Sequence, residues 1–266
     1  MPKSGYLAWA VICFCCCAAP ASASVPADST FLSYSGTATY PHSAKFLYGE
    51  RHVLAYQEGR PAERVVLYTC SDGSSFARKT VHYVDSLAPD FLLEDASNGL
   101  HEGVRSGSSG RAVFFRGDET QHEQSRVFTP APGLVADAGF DEFVRANWQQ
   151  LMTDRSVGIR FLIPSRLDNY RFQLRHLRSD RHDGVPVEVF RLELAGIGSW
   201  LLPGIDVYYS AGEHVLVHYE GLSDLRDASH SNIPANITFH LADRTPSDRQ
   251  AYEEALRAPL APCNLQ

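Results

Sequence analysis

Short runs of alternating apolar and polar residues, separated by turn signals, constrain this chain more than any other feature. From Val157 to Ile163, apolar side chains occupy every second position and Arg160 falls between them. Such alternation is typical of a strand with one buried face, because successive side chains point to opposite faces. About ten or more such runs follow one another along the chain. The sequence therefore predicts a mainly β protein with a large antiparallel sheet.

The residues between the runs favour hairpins joined in sequence. Asp72–Gly73 is a signal for a tight two-residue turn. The segment SGSSGR at 106–111 and the residues Ser210–Gly212 are further hairpin loops. Neither a repeat nor a linker interrupts the pattern, so we expect one domain spanning residues 24–266. A curved sheet or half-barrel fits best, and a β-sandwich is the main alternative.

One amphipathic helix is predicted between the two sets of strands, from Val135 to Met152. Its apolar positions recur at helical spacing, namely Phe140, Phe143, Val144, Trp148, Leu151 and Met152. Asp137 is well placed as its N-cap. We expect this helix to cover the concave face of the sheet. A short C-terminal helix is predicted within residues 246–259, with Ser247 as its N-cap.

The first residues have the pattern of a cleavable export signal. Lys3 precedes an apolar run from Tyr6 to Ala19 that is too short to span a bilayer, and Ala21 and Ala23 form a small-x-small cleavage site. The residues that precede the four cysteines of this segment are Ile12, Phe14, Cys15 and Cys16, whereas a lipidation signal needs a small residue there, which argues against lipidation. We therefore expect residues 1–23 to be removed and the protein to lie in the periplasm, not lipidated and without a stable membrane span.

Cysteine and charge usage narrow the possibilities further. Removal of the signal leaves Cys70 and Cys263, and an even pair in an oxidising compartment predicts a disulfide. A redox-active pair and two free thiols are the alternatives. The net charge is −7 and no basic run occurs, which argues against nucleic acid as a partner.

The segment YEGLSDLRDASHSNIPANITF, Tyr219–Phe239, resembles the late strands of exported bacterial half-barrels of the lipoprotein-carrier (LolA/LolB-like) superfamily and related uncharacterised periplasmic families. The order of signal peptide, meander, helix and second meander is similar as well. The resemblance implies a curved sheet wrapped around helices, with an apolar pocket for an acyl chain or another hydrophobe. Strand arginines argue against a purely apolar cavity, namely Arg160, Arg171, Arg175 and Arg191.

Patterns that support catalysis or metal binding are weak. The G-x-S-x-G motif of a nucleophilic serine is missing from the sequence. His214, His218 and Glu220 alternate along one strand, but His214 and His218 would be about 13 Å apart along it, too far for one ion. We expect them on a solvated outer face. The sequence thus assigns no catalytic residue, metal or cofactor, and an enzyme such as a hydrolase is only a distant alternative.

Two charged motifs favour a rim for an anionic head group. They are FARK at Phe76–Lys79 and EGVR at Glu102–Arg105, with ordinary surface ion pairs as the alternative. The main hypothesis is a periplasmic, non-enzymatic protein that binds or carries a hydrophobic or lipid-like ligand between sheet and helix. The expected ligand-binding residues are Phe140, Phe143, Val144, Trp148 and Met152. The alternative is an envelope structural or interaction protein with a closed core.

Overall fold

The computed structural model describes residues 28–107, 109–129, 131–153, 155–196 and 204–265. The predicted signal peptide, residues 1–23, lies outside this range. Within the described residues, sixteen strands form one sheet and three α-helices accompany it. The first group of strands is β1 (Thr30–Thr39), β2 (Phe46–Gln57), β3 (Arg60–Thr69), β4 (Ser75–His82), β5 (Asp90–Asp95), β6 (Leu100–Gly107), β7 (Gly110–Arg116), β8 (Gln124–Phe128) and β9 (Leu134–Val135).

Two helices, α1 (Gly139–Ala146) and α2 (Trp148–Leu151), separate these strands from the second group. That group comprises β10 (Val157–Ile163), β11 (Asp168–His182), β12 (Val185–Leu194), β13 (Ile205–Ser210), β14 (Leu216–Arg226), β15 (Asn232–Phe239) and β16 (Thr245–Ser247), followed by helix α3 (Arg249–Arg257). Among the described residues, no helix combines the length and apolar character that a membrane crossing requires.

The sheet consists of two meanders that share a central seam. Strands β1 to β8 form one meander and β10 to β15 the other, and they join where β1 pairs with β15. All neighbours on this path are antiparallel except β9 and β10, which are parallel. The mainly β, antiparallel, curved half-barrel that the sequence predicts is confirmed, as is a short C-terminal helix.

Contacts across the interior show how strongly the sheet curves. Strands β4 and β14 are five steps apart, which in a flat sheet would separate them by about 24 Å. Yet Lys79 of β4 forms an ion pair with Asp224 of β14. The far arms also approach each other, because Val104 and Val113 of one meander pack in the same cluster as Leu162 of the other. The sheet thus encloses an interior.

Helices α1 and α2 cover part of the inner face, as predicted. Phe143, Val144 and Leu151 pack against Phe190 and Tyr209 of the second meander. The helical segment is shorter than the sequence predicts. Val135 belongs to strand β9, where it pairs with Phe161, and α1 begins four residues later. A break at Asn147 separates α1 from α2.

The outer face of β2 and β3 is covered by helix α3. Val53, Val65 and Leu67 point outward and pack against Tyr252 and Ala255 of this helix. The predicted Ser247 cap is wrong by one residue. Asp248 caps α3, its carboxylate accepting a hydrogen bond from the backbone N–H of Ala251 at 2.8 Å. These strands therefore carry apolar residues on both faces.

The C-terminal tail crosses back to the first meander and is covalently held there. Cys70 and Cys263 form a disulfide with Cα atoms 6.1 Å apart. The backbone N–H of Ala261 donates to the carbonyl of Ser75 at 2.9 Å, and that of Cys263 donates to Ser97 Oγ at 3.0 Å. The disulfide closes a loop spanning most of the described chain.

Replacing both cysteines, as Cys70→Ser with Cys263→Ser, is expected to lower the free energy of unfolding by about 2–5 kcal/mol, because the unfolded chain is released from a long closed loop. Urea denaturation of the oxidised wild type and of the double variant measures the difference. Reduced wild type should match the variant. Equal stability of all three would contradict a structural role for this bond.

Gly139, the first residue of α1, allows the helix to approach the segment between β4 and β5. A Cβ atom there would lie 2.0 Å from the carbonyl oxygen of Leu87. We expect Gly139→Ala to lower the free energy of unfolding by about 1–3 kcal/mol, because backbone has to move. Gly212→Ala is the matched control, since a Cβ there meets nothing within 4 Å. Urea midpoints that fall equally for both variants would contradict this account.

Candidate functional site

Ionisable side chains alternate with apolar ones across the inner face of the first meander. His52 lies opposite Val66, which lies opposite Lys79, then Leu93 and Glu102 on the next two strands. The ionisable side chains of this row need partners, because an unpaired buried charge is very costly. The partners come from the opposite side of the interior and form what we call the interior ion cluster: Lys79, Asp137, Asp224, Glu102 and Arg226.

Lys79 is the centre of this cluster. It is 7% exposed, its Nζ lies 2.5 Å from Asp137 Oδ1, and it also pairs with Asp224. Burial disfavours the charged ammonium, but the two carboxylates outweigh it and raise the pKa of Lys79 well above its usual value. A lysine held in its charged form is a poor nucleophile or base. Lys79 is instead suited to a structural role, as an ion pair that holds β4 to β14 and to the start of α1.

Asp137 does not cap helix α1, contrary to the sequence prediction. The N-cap is Ala138, without a side-chain capping bond, and Asp137 has a φ of +41°. Its carboxylate instead turns toward Lys79. Left-handed backbone is unfavourable for most residues other than glycine, and Asp tolerates it better than most. The strained residue thus connects the start of α1 to strand β4.

The second pair of the cluster joins β6 to β14. Arg226 Nη2 donates to Glu102 Oε2 at 3.0 Å, and both side chains are buried. Burial raises the pKa of Glu102 to about 7, although Arg226 opposes the shift. Glu102 therefore changes charge near neutral pH, inside the molecule.

A pocket of about 80 Å³ lies between the sheet and α1 and is separate from the ion cluster. We call it the sheet–helix pocket. Its polar and charged lining residues are His52, Arg64, Asp141, Arg145 and Arg244. Its apolar and aromatic lining residues include Tyr34, Leu54, Tyr56, Val215, Leu216 and Phe239. The pocket is thus amphiphilic.

Asp141 of α1 is the carboxylate of this pocket, and it is already bonded. Arg64 Nη2 donates to Asp141 Oδ2 at 3.4 Å, and Tyr209 Oη donates to Asp141 Oδ1 at 2.8 Å. Burial disfavours the carboxylate, but Arg64 and Arg145 outweigh it and lower the pKa of Asp141. The charge of Asp141 helps to fix α1 against β3 and β13.

An aromatic stack of Tyr34, His52 and Phe239 forms part of the pocket lining. The Tyr34 ring lies on the His52 ring with centroids 4.4 Å apart, and Phe239 meets both edge-on. His52 Nε2 lies 2.7 Å from Glu50 Oε2. Burial lowers the pKa of His52, so its ring is neutral near pH 7. The Arg244 guanidinium lies 4.6 Å from the centre of the Tyr34 ring, a cation–π contact.

The residues predicted to bind a ligand are divided by the structure. Phe143 and Val144 are buried in the core. Trp148 and Phe140 are half-buried, and Trp148 stacks on His214 with centroids 3.8 Å apart. Met152 is 37% exposed. The helical residues that line the sheet–helix pocket are instead Asp141 and Arg145, on the polar side of the predicted stripe.

Several predictions about charged residues are corrected. His214 does not share the outer face with His218, because it lies in the turn before β14 and a register shift falls between Leu216 and His218 in the pairing with β13. His214 stacks on Trp148, whereas His218 is buried and stacks on His182. FARK and EGVR do not form a common rim. Arg78 and Arg105 pair with Glu94 and Glu123, while Lys79 and Glu102 point inward.

The strand arginines that argued against an apolar cavity occupy other positions. Arg160, Arg171 and Arg175 are exposed. Arg191 donates two hydrogen bonds to the Asp206 carboxylate, at 2.5 and 2.6 Å. The interior is nevertheless charged, through residues of the first meander. The signal that identifies them is a charged residue at an apolar position of an alternating run, as Lys79 is between Ala77 and Val81.

Glu102→Gln is expected to remove a pH dependence of stability. The pKa of Glu102 is about 7 in the folded protein and near 4.5 in the unfolded chain. The contribution of protonated Glu102 to the free energy of unfolding is therefore fully present below pH 4.5 and is lost as the pH rises through 7. Relative to wild type, the variant should gain up to about 3 kcal/mol between pH 4.5 and 8. Urea denaturation across this range measures it, with Glu253→Gln on outer helix α3 as control; parallel profiles for wild type and Glu102→Gln would contradict it.

Comparison with known proteins finds distant structural likeness. No family model matches the chain, and no curated protein matches it. A solved structure described as a β-barrel-like protein of a domain of unknown function, DUF1849, from Brucella abortus has a TM-score of 0.47 and 8% sequence identity. The match covers 83% of this chain and 98% of that one. A likeness of this degree carries no argument about function.

Proposed function

We propose that this chain is a non-enzymatic binding or carrier protein of the bacterial periplasm, which holds a hydrophobic or lipid-like ligand between the sheet and helix α1. The observation that supports the proposal is the sheet–helix pocket, whose lining contains both apolar and charged side chains. An amphiphilic lining suits a ligand that has both an apolar and a polar part. The predicted export signal at residues 1–23 and the Cys70–Cys263 bond support an oxidising compartment outside the cytoplasm.

The size of the pocket determines how such a ligand would be admitted. Pockets that enclose a drug-sized molecule have volumes of roughly 300–1,000 Å³. The sheet–helix pocket is about 80 Å³, enough for a head group and the start of a chain. A whole lipid requires α1 and α2 to move away from the sheet. The break at Asn147 separates α2 from α1, so the two helices can move independently.

The charge states of Lys79 and Asp141 support binding by this site in preference to proton transfer by these two groups. Lys79 is held as an ammonium by two carboxylates, and Asp141 is held as a carboxylate by two guanidinium groups. Groups locked in one charge state by strong partners are poorly suited to proton transfer. They are well suited to positioning α1.

An envelope structural or interaction protein with a closed core is the second candidate. The packing of Trp148 favours it, because its ring meets Phe190 and Tyr209 edge-on and stacks on His214. In that case α1 and α2 are permanent parts of the core. The two candidates differ in whether the environment of Trp148 responds to a ligand.

Trp148 supplies a direct fluorescence test. The chain has three tryptophans, of which Trp9 lies in the predicted signal, so Trp200→Phe leaves Trp148 alone in the exported protein. Titration with palmitate or an envelope lipid extract is expected to shift the emission of Trp148, and a brominated fatty acid should quench it. Trp148→Phe, which retains Trp200, is the matched control.

Native mass spectrometry of protein purified from the periplasm provides an independent measurement. A retained amphiphile, identified after solvent extraction, is the expected result. An unliganded mass together with unchanged Trp148 emission would reject the carrier function and leave the closed-core candidate.

A further inference from the structure

The sheet–helix pocket carries more positive than negative charge. It contains three guanidinium groups, those of Arg64, Arg145 and Arg244, against the carboxylate of Asp141. The Arg64 guanidinium forms an ion pair with Asp141, and that of Arg145 forms an ion pair with Glu142 on its own helix. In the described part of the chain, no carboxylate lies within 4 Å of Arg244, whose guanidinium rests on Tyr34. One positive charge at the pocket is therefore unneutralised.

Two side chains that line the pocket also carry buried polar atoms without a bonding partner in the described structure. They are Arg64 Nε and His52 Nδ1, and both residues are more than nine-tenths buried. Buried donors and acceptors are almost always satisfied, so these two lining residues each retain an unused hydrogen-bonding atom. Arg64 Nε–H is a donor. Because His52 Nε2 faces the Glu50 carboxylate and carries the proton, Nδ1 is an acceptor.

The apolar lining residues indicate the other part of the ligand. Leu54, Val215, Leu216 and Phe239 line the same cavity as the arginines. A free inorganic anion would leave these side chains without a contact, whereas a neutral hydrocarbon would leave the Arg244 guanidinium without an anionic partner. A ligand with an anionic end and an aliphatic chain satisfies both kinds of side chain.

We propose that the sheet–helix pocket binds the anionic head group, a carboxylate or phosphate, of a single-chain amphiphile, with Arg244 and Arg64 as the head-group ligands and the Leu54 and Leu216 side chains against the first carbons of the chain. This assignment rests on the proposed binding function and deepens it. Arg244 supplies the free charge, and Arg64 supplies the unused Nε–H. His52 Nδ1 accepts from a protonated head-group oxygen or from a water beside it.

The test compares amphiphiles that share one chain length and differ in the head group. Dodecanoate, dodecyl phosphate and the neutral monododecanoylglycerol are titrated, below micelle formation, into the Trp200→Phe protein. The anionic probes should bind at least about tenfold more tightly than the neutral probe. The ratio between dodecanoate and dodecyl phosphate then distinguishes a carboxylate from a phosphate ligand.

Arg244→Gln is the informative variant, because it removes the unneutralised charge without creating a buried unpaired carboxylate. It should lower affinity for the anionic probes about tenfold and leave the neutral probe unchanged. Arg244→Lys keeps the charge and should keep most of the preference. Arg257→Gln, on the outer face of α3 where Arg257 pairs with Glu253, is the matched control and should bind as wild type does.

The outcomes separate the two proposals. Tight binding of all three probes with equal affinity, or equal effects of Arg244→Gln and Arg257→Gln, would overturn the head-group assignment while the carrier function stands. Absence of binding by every probe would overturn the carrier function and the assignment with it. Thermal melting of each variant confirms that it is folded before it is compared.

Discussion

The ammonium group of Lys79 is the interaction on which the rest of the structure depends. It joins three parts of the chain that a flat sheet would keep apart: strand β4, strand β14 through Asp224, and the start of α1 through Asp137. Without it, the largely buried carboxylate of Asp137 would lose its cationic partner. Breaking a buried ion pair by removing one partner typically costs about 3–5 kcal/mol. The curvature of the sheet and the position of the helix are therefore set together.

The position of the helix in turn creates the sheet–helix pocket. Once Asp137 anchors its start, Asp141 lies one turn further along and reaches Arg64 and Tyr209. The polar side of α1 is thus held toward β3, and its apolar side packs against the second meander. The gap that remains has a mixed lining, because α1 contributes the charged Asp141 and Arg145 while the sheet contributes both charged and apolar side chains.

The architecture could be predicted from alternation and turn residues, whereas the interior charges could not. In β10 the pattern is unambiguous, since every second residue is apolar. In β2 and β3 it fails, because α3 covers the outer face and residues such as Val53 and Val65 are apolar there too. Asp137 was predicted as a cap because local sequence cannot show that Lys79, far away in the chain, competes for its carboxylate. The helix start was placed too early because pairing of Val135 with Phe161 depends on tertiary structure.

The seam between the two meanders has a consequence for how the molecule is made. Strand β1 is complete near the beginning of synthesis, yet one of its edges pairs with β15, almost two hundred residues later in the chain. Until β15 emerges, that edge presents unpaired backbone groups, the arrangement that promotes pairing with other chains. Long-range strand pairing is also slow. The nascent chain therefore passes through a long interval in which a chaperone that covers the exposed edge of β1 would suppress aggregation.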